Sequence, residues 1–355
     1  MAAKMMAVKD VTPGSVLADS VLSIKGKVLL GKNIILTPRH ISLLEAWDVQ
    51  SVFIQGDEEE SPAEPAETAV PAEESGEYVQ FSQKYDSIVA NTDQTFTIIR
   101  KRRIIPVVHL KKTAGDIRSS IVANSFKIMN YLLANDCRLA DFISRHSVSV
   151  AYFAGIIARQ MKWKEEDVEG VALAGLLHDV GNLTAADVHD FRAQANIAEA
   201  ARLLRTTTGL SSEVILGIIQ HRESVNSTGR VAGEHGSKIH PYAKVIAVAD
   251  YFHNMAYKDT CANPFPVLDL LAAKMFSSLD PDVCQLFISR VRDSLLNNKV
   301  LLSDGQEAEL IFFNPNKYSL PVVKTADNRI VDLSRCNDLK IQQLASPKIE
   351  RGADK

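Results

Sequence analysis

The sequence predicts a mainly α-helical protein with a small α/β unit in front and a short β appendage behind. Three observations carry this reading. From about residue 80 to 300, apolar side chains recur at helical spacing. Residues 57–77 interrupt the chain with an acidic, proline-containing stretch. From about residue 300, short β-rich runs alternate with turn residues. A chain of 355 residues, 46% of them hydrophobic, suffices for about two domains and a large core.

The elements follow in order. Residues 1–56 read as the α/β unit. In "SVLADSVLSIKGKVLLGKNIIL" two β-rich runs flank "KGK", a hairpin signal. "TPRHISLLEAW" then opens a helix, with Thr37 as N-cap and Pro38 at the first helical position, and "VQSVFI" closes the unit as a strand. Residues 57–77 carry nine acidic side chains, three prolines and no Lys or Arg, so self-repulsion and a shortage of apolar groups make 57–79 a disordered linker. Residues 80–300 form the helical part, with its centre at about 135–260, and the run "RKRR" at 100–103 reads as a solvated face. Residues 301–345 contain β-rich runs divided by Asp-Gly, Asn-Pro and Asp-Asn turns, and 346–355 form a tail.

Composition removes several function classes. The net charge is −3 with no long basic face, which argues against a nucleic-acid polymer as partner. No apolar run approaches the roughly 20 residues that span a bilayer, and the N-terminus has no signal-peptide core. Cys137, Cys261, Cys284 and Cys336 show no CxxC spacing and read as reduced thiols, so a cytoplasmic location is expected.

Candidate chemistry lies at the ends of apolar helices. His146 shares a face with Val150, Phe153 and Ile157; His178 lies over Ala174 and Val171, with Asp179 beside it and Gly181 to let the chain turn out of the helix. His221 follows Val214, Gly217 and Ile218. Asp250 follows Ile246 and Ala243, and His253 comes one turn later. Alone, each histidine reads as a hydrogen-bonded core residue and each aspartate as a cap or ion-pair partner. Together they place imidazoles and carboxylates on stripes that must pack against one another. An unpaired buried carboxylate costs several kcal/mol on general grounds. A divalent cation would neutralise Asp179 and Asp250 and use the histidine nitrogens, and this mixed N/O set does not choose among Mn, Fe, Zn, Ni and Co.

The order His146 … His178-Asp179 … Asp250 resembles the H…HD…D pattern of the HD-domain metal-dependent phosphohydrolases. "RHSVSVA", "LLHDVGN" and "KVIAVADYFHNM" are similar to segments of the HD-GYP branch. The N-terminal "PGSVLADSVLSIKGKVLLGKNIILTPRHISLLEAWDVQSVFI" looks like the small domain often found before HD-GYP domains in Gram-positive bacteria, and "RIVDLSRCNDLKI" resembles some tails of that branch. The resemblance implies an HD-domain helical bundle, a two- or three-metal centre, and cyclic di-GMP as the typical substrate.

The departures from that pattern are physical. The branch is named for a HHExxDGxGYP stretch. Here "HRESVNSTGRV" keeps His221 and Glu223, but Arg222 replaces the second histidine, Asn226 the aspartate, and Gly229-Arg230-Val231 the Gly-Tyr-Pro. A further ligand histidine of the family corresponds to Ala195 or Asn196. Asn182 stands where the branch has lysine, Thr260 where it has a phosphate-holding arginine, and His253 where it has aspartate. His146, His178, Asp179 and Asp250 still make one metal site, with water completing it. Beside a second ion, the fixed charge of Arg222 would be repulsive, and its guanidinium could fill that space instead.

The expected protein is therefore a bacterial, HD-GYP-type cyclic-dinucleotide signalling protein with a reduced site. It would hold one divalent metal or none. Cyclic di-GMP hydrolysis is expected to be weak or lost, and the output to come through binding. Asp179, His221 and His253 are the candidate acid–base groups, and Arg222, Arg230 and Asn182 the candidate phosphate contacts. Two alternatives stay open: an active one-metal phosphodiesterase or phosphohydrolase, and a metal-free interaction module. A cyclic dinucleotide or another phosphate ester, a signalling protein and a second copy of the chain are the expected partners.

Overall fold

The structure, a computed structural model, describes residues 3–12, 15–18, 21–22, 28–30, 36, 41, 44, 49–55, 76–135, 142–184, 193–223, 236–257, 263–275, 277–315, 317–336 and 338–345. The "KGK" turn, Thr37, Pro38, most of the acidic stretch, Cys137, Cys261, Arg230, Thr260 and the tail lie outside these residues. The chain divides into two compact units, Met1–Thr68 and Ala69–Lys355.

In the first unit, strand β1 (Ala3–Ala7) pairs antiparallel with β4 (Ser51–Gln55), Ala3 opposite Gln55 and Ala7 opposite Ser51. Strands β2 (Val21–Leu22) and β3 (Val28–Leu30) form a second antiparallel pair, as the β-rich runs predict. Val8, Val11, Leu17, Val21, Leu36, Leu44, Val52 and Ile54 make its core. The closing strand is where the sequence puts it, but its partner β1 carries no strand signal of its own. "AKMMA" carries no β-branched or aromatic residue, so only the tertiary pairing reveals it.

The second unit begins with two long helices, α1 (Gly76–Arg102) and α2 (Val107–Asn135). Arg103 joins them in the left-handed region (φ 52°), and its guanidinium donates to Glu199 at 2.7 Å and to the Thr184 carbonyl at 3.0 Å. The "RKRR" run is thus only partly a solvated face, because its last member ties this corner to the chain after Asp179. Helix α2 kinks at Asn124, whose backbone leaves helical geometry while its side chain accepts from Lys127 N at 3.0 Å, recapping the helix beyond.

Helices α3 (Phe142–Gln160) and α4 (Glu165–Leu177) follow. Every residue of α3 from His146 to Ala158 is buried, as expected of a helix apolar all round at the centre of a bundle. Gly175 of α4 crosses it closely: a Cβ there would stand 2.9 Å from the Ala151 Cα. That crossing sets the end of α4 beside the start of α3. Helices α5 (Ala193–Arg205), α6 (Ser212–Gln220), α7 (Pro241–Tyr257), α8 (Pro264–Lys274) and α9 (Pro281–Leu295) complete the helical part. Ser211, Asn263 and Asp280 cap α6, α8 and α9, and the last two are followed by proline at the first helical position.

The last strands, β5 (Lys299–Leu302), β6 (Glu307–Asn314), β7 (Lys317–Thr325), β8 (Ile330–Asp332) and β9 (Ile341–Leu344), form one antiparallel sheet in the order β8-β7-β6-β5-β9. The sheet shares the helical core through Val300, Leu302, Leu310, Phe313 and Val323. Asp269 of α8 accepts from Tyr318 N at 2.7 Å and Ser319 N at 3.1 Å, clamping β7 to the helices. Among the described residues no helix is long and apolar enough to cross a membrane.

Candidate functional site

Four helices deliver five polar side chains to one buried place. His146 comes from the first turns of α3, and His178 and Asp179 from the end of α4. His221 lies at the end of α6 and Asp250 on α7. His146 Nε2 lies 3.1 Å from His178 Nε2 and 3.2 Å from Asp250 Oδ1. His178 Nε2 lies 3.4 Å from Asp250 Oδ1 and 3.6 Å from Asp179 Oδ2. The three histidines are each under 5% exposed, so water does little to screen the cluster.

Backbone contacts aim the rings. His178 Nδ1 donates to Gly175 O at 2.8 Å and His221 Nδ1 to Ile218 O at 2.7 Å, which leaves each neutral ring with its lone pair on Nε2, facing inward. His146 Nδ1 meets His253 Nδ1 at 2.9 Å. The two ring nitrogens, 3.1 Å apart beside two carboxylates, need a cation or a proton between them. In the protein without metal the proton sits on His178. Burial opposes its charge, but Asp179 and then Asp250 outweigh that and raise His178 to about 9. Burial, aided by neighbouring His253 and His178, lowers His146, and burial with the His178 charge lowers His221 to about 4. Both carboxyls lie below their ordinary value despite burial. His178 and Arg222 hold Asp179 there, and hydrogen bonds from His146 and His178 hold Asp250.

The donor set fits a metal ion. Bonds of about 2.0–2.2 Å put neighbouring ligand atoms roughly 2.9–3.5 Å apart, and the pairs above span 3.1–3.6 Å. The ligand atoms of His146, His178 and Asp179 lie within 4.8 Å of one another, as do those of His178, His221 and Asp250. In the second group, however, the His221 lone pair already accepts from Arg222 Nε at 3.1 Å. Arg222 also donates from Nη2 to Asp179 Oδ1 at 2.6 Å.

The remaining sequence-predicted residues lie elsewhere. His253 is buried behind His146, with its ring against Tyr257 (4.8 Å between centroids) and Phe153 (6.5 Å), so it meets the Nδ1 edge of His146 and not the inward Nε2. Asn182 lies on the 3-10 turn Val180–Leu183, with its N–H on the Asp179 carbonyl at 2.9 Å. Gly181 does not take a left-handed backbone to turn the chain out of α4. It is needed because a Cβ there would stand 1.9 Å from Asn196 O of α5. Asn254 was not foreseen: its Nδ2 donates to Asp250 Oδ1 at 2.6 Å, and the i+4 spacing on one helix face was the available signal.

Residues 143–255, which contain this cluster, match the HD domain family model. The 3′3′-cGAMP-specific phosphodiesterase 3 of Vibrio cholerae is 24% identical over 157 residues, 40% of this chain and 34% of that protein. The cyclic di-GMP phosphodiesterase PA4108 of Pseudomonas aeruginosa is 21% identical over 262 residues, 68% of this chain and 63% of that protein. The chain thus spans about a third and just under two thirds of these relatives. Among solved structures, an HDG"Y"P protein from Bdellovibrio bacteriovorus aligns at TM-score 0.48 and 16% identity, over 82% of this chain and all of that one. A cyclic GMP-AMP-specific phosphodiesterase of V. cholerae aligns at TM-score 0.37 and 16% identity, over 48% and 49% of the two chains. The stretch that matches the HD domain model is thus the one in which His146, His178, Asp179 and Asp250 meet.

Proposed function

We propose that this chain is a cyclic-dinucleotide signalling protein whose HD site holds one divalent ion on His146, His178, Asp179 and Asp250, and that its output comes from binding a phosphate ester, with hydrolysis weak or lost. The observation that carries the proposal is the meeting of His146 Nε2, His178 Nε2 and Asp250 Oδ1 at mutual distances of 3.1–3.4 Å. The relatives' names supply the ligand class, since both are cyclic-dinucleotide phosphodiesterases.

A bound ion would polarise a phosphoryl oxygen and lower the pKa of a water beside it. The chain's own groups then divide the remaining work. Asp179 turns Oδ2 toward His178 and has Oδ1 held by Arg222, so its carboxylate is fixed in orientation. Asp250 is held by Asn254. His253 contacts the outer edge of His146, which makes it a positioning residue for that ring and takes it out of the acid–base role. His221 is neutral and engaged at both nitrogens, so it is a poor proton donor unless Arg222 moves. Among the described residues no acid is placed to protonate a leaving oxygen, and binding without efficient turnover follows.

The test is calorimetric titration of the Mn²⁺-loaded chain with cyclic di-GMP, 3′3′-cGAMP, the linear dinucleotide and a simple phosphate ester, together with a turnover assay on each. Metal-dependent binding of a cyclic dinucleotide with turnover far below about 1 s⁻¹, the low end for ordinary enzymes, is expected. Turnover above that rate, or binding equally strong after chelation, contradicts the proposal.

A further inference from the structure

We propose that the Arg222 guanidinium is a permanent cation standing in the seat of a second metal ion, so that the site takes a single exchangeable ion. The inference rests on the one-metal reading above and concerns what lies on the other side of Asp179.

Asp179 presents two oxygens to two places. Oδ2 faces His178, and Oδ1 faces His221 Nε2 at 3.9 Å. A carboxylate turned this way is suited to bridging two cations. The donors on its second side are Asp179 Oδ1 and His221 Nε2, and Nε2 holds the one lone pair His221 has left, because Nδ1–H is spent on Ile218 O. Arg222 satisfies both donors with a single group, Nη2 on Asp179 Oδ1 at 2.6 Å and Nε on His221 Nε2 at 3.1 Å. A planar fork whose charge persists at every working pH suits this task, whereas a lysine ammonium is a point charge on a flexible stem. The side chain is 26% exposed, so it is enclosed enough to be held and too close to both donors to admit a second ion beside it. The group His178, His221 and Asp250 has the spacing to take an ion only if Arg222 Nε first leaves His221.

Arg222 thus neutralises Asp179 and fixes His221 as a metal would. It cannot activate a water or accept an oxygen into a coordination shell. The consequence is a binding stoichiometry that a single substitution should change. Arg222→His removes the fixed charge and places a third donor beside Asp179 Oδ1 and His221 Nε2. Arg222→Gln removes the charge without adding an imidazole.

The experiment strips wild type, R222H and R222Q with chelator, confirms folding by circular dichroism and reloads them with Mn²⁺. Bound ions are then counted by calorimetry, and paired ions are detected by electron paramagnetic resonance. One ion with an isolated-Mn²⁺ spectrum is expected for wild type. Two ions with an exchange-coupled spectrum are expected for R222H. If R222H does not fold, R222Q carries the test and should take a second ion at higher Mn²⁺ concentration. One ion in every folded variant, or two in wild type, overturns the role of Arg222 and leaves His146, His178, Asp179 and Asp250 as a metal site. No ion in wild type overturns the one-metal reading and this inference with it.

Discussion

Replacing His178 with alanine is expected to abolish stoichiometric metal retention and, with it, any phosphoester hydrolysis. His178 is the hub of the cluster, with Nε2 within 3.1–3.6 Å of His146, Asp250 and Asp179. Loss of an outer-shell partner typically costs 10–100-fold in metal affinity, so loss of this ligand should cost more than about 100-fold. In chelator-treated protein the same change takes the His178 charge from the largely buried Asp250, while Asp179 keeps Arg222. Removing one partner of a buried ion pair destabilises by roughly 3–5 kcal/mol. The pH dependence has a definite sign. His178 is raised from 6.5 to about 9, so its stabilising contribution is complete below pH 6.5 and fades as pH rises through about 9. Denaturant unfolding of the chelated proteins should therefore show a gap between wild type and H178A that is widest near pH 6 and narrows above pH 9. Full metal retention in H178A, or a gap that widens with pH, would be incompatible with this geometry.

Gly181→Ala is the second large effect. The new Cβ would stand 1.9 Å from Asn196 O, 2.9 Å from Asn196 C and 3.0 Å from Ala200 N, all backbone atoms of α5 that cannot rotate aside. Either α5 or the turn that follows Asp179 must move. Overpacking in a well-packed core usually costs about 1–3 kcal/mol, and a clash with backbone belongs at or above the top of that range. For a domain of this size about 3 kcal/mol lowers Tm by roughly 6–12 °C. Thermal unfolding of the metal-loaded protein measures it, and a shift under about 2 °C would mean that α5 does not lie where the structure places it.

The site was legible in the sequence to the extent that burial makes charge costly. His146, His178, Asp179 and Asp250 each lie on or beside an apolar helical stripe, and stripes that pack together bring such polar positions together. Periodicity gives the face on which a residue lies but not what meets it across the bundle. His253 shares a face with Asp250 and so looked like a second acid–base group. Across the bundle it meets the outer nitrogen of a ring 107 residues away, which periodicity does not show. The grip of Arg222 on Asp179 joins positions 43 apart and depends on where α4 and α6 end relative to each other. Gly181 signalled a special backbone position, and the choice between a left-handed turn and a close approach needed the position of α5. In the first unit, β1 stayed hidden because its helix-favouring residues are drawn into a strand by β4, about fifty positions downstream.

X-ray absorption at the edge of the metal that co-purifies with the full chain tests the central claim most directly. The account predicts a shell containing two imidazole nitrogens and carboxylate oxygens at about 2.0–2.2 Å, with no metal–metal scattering. A shell without histidine, or a metal–metal vector at about 3.5–4 Å, would contradict it.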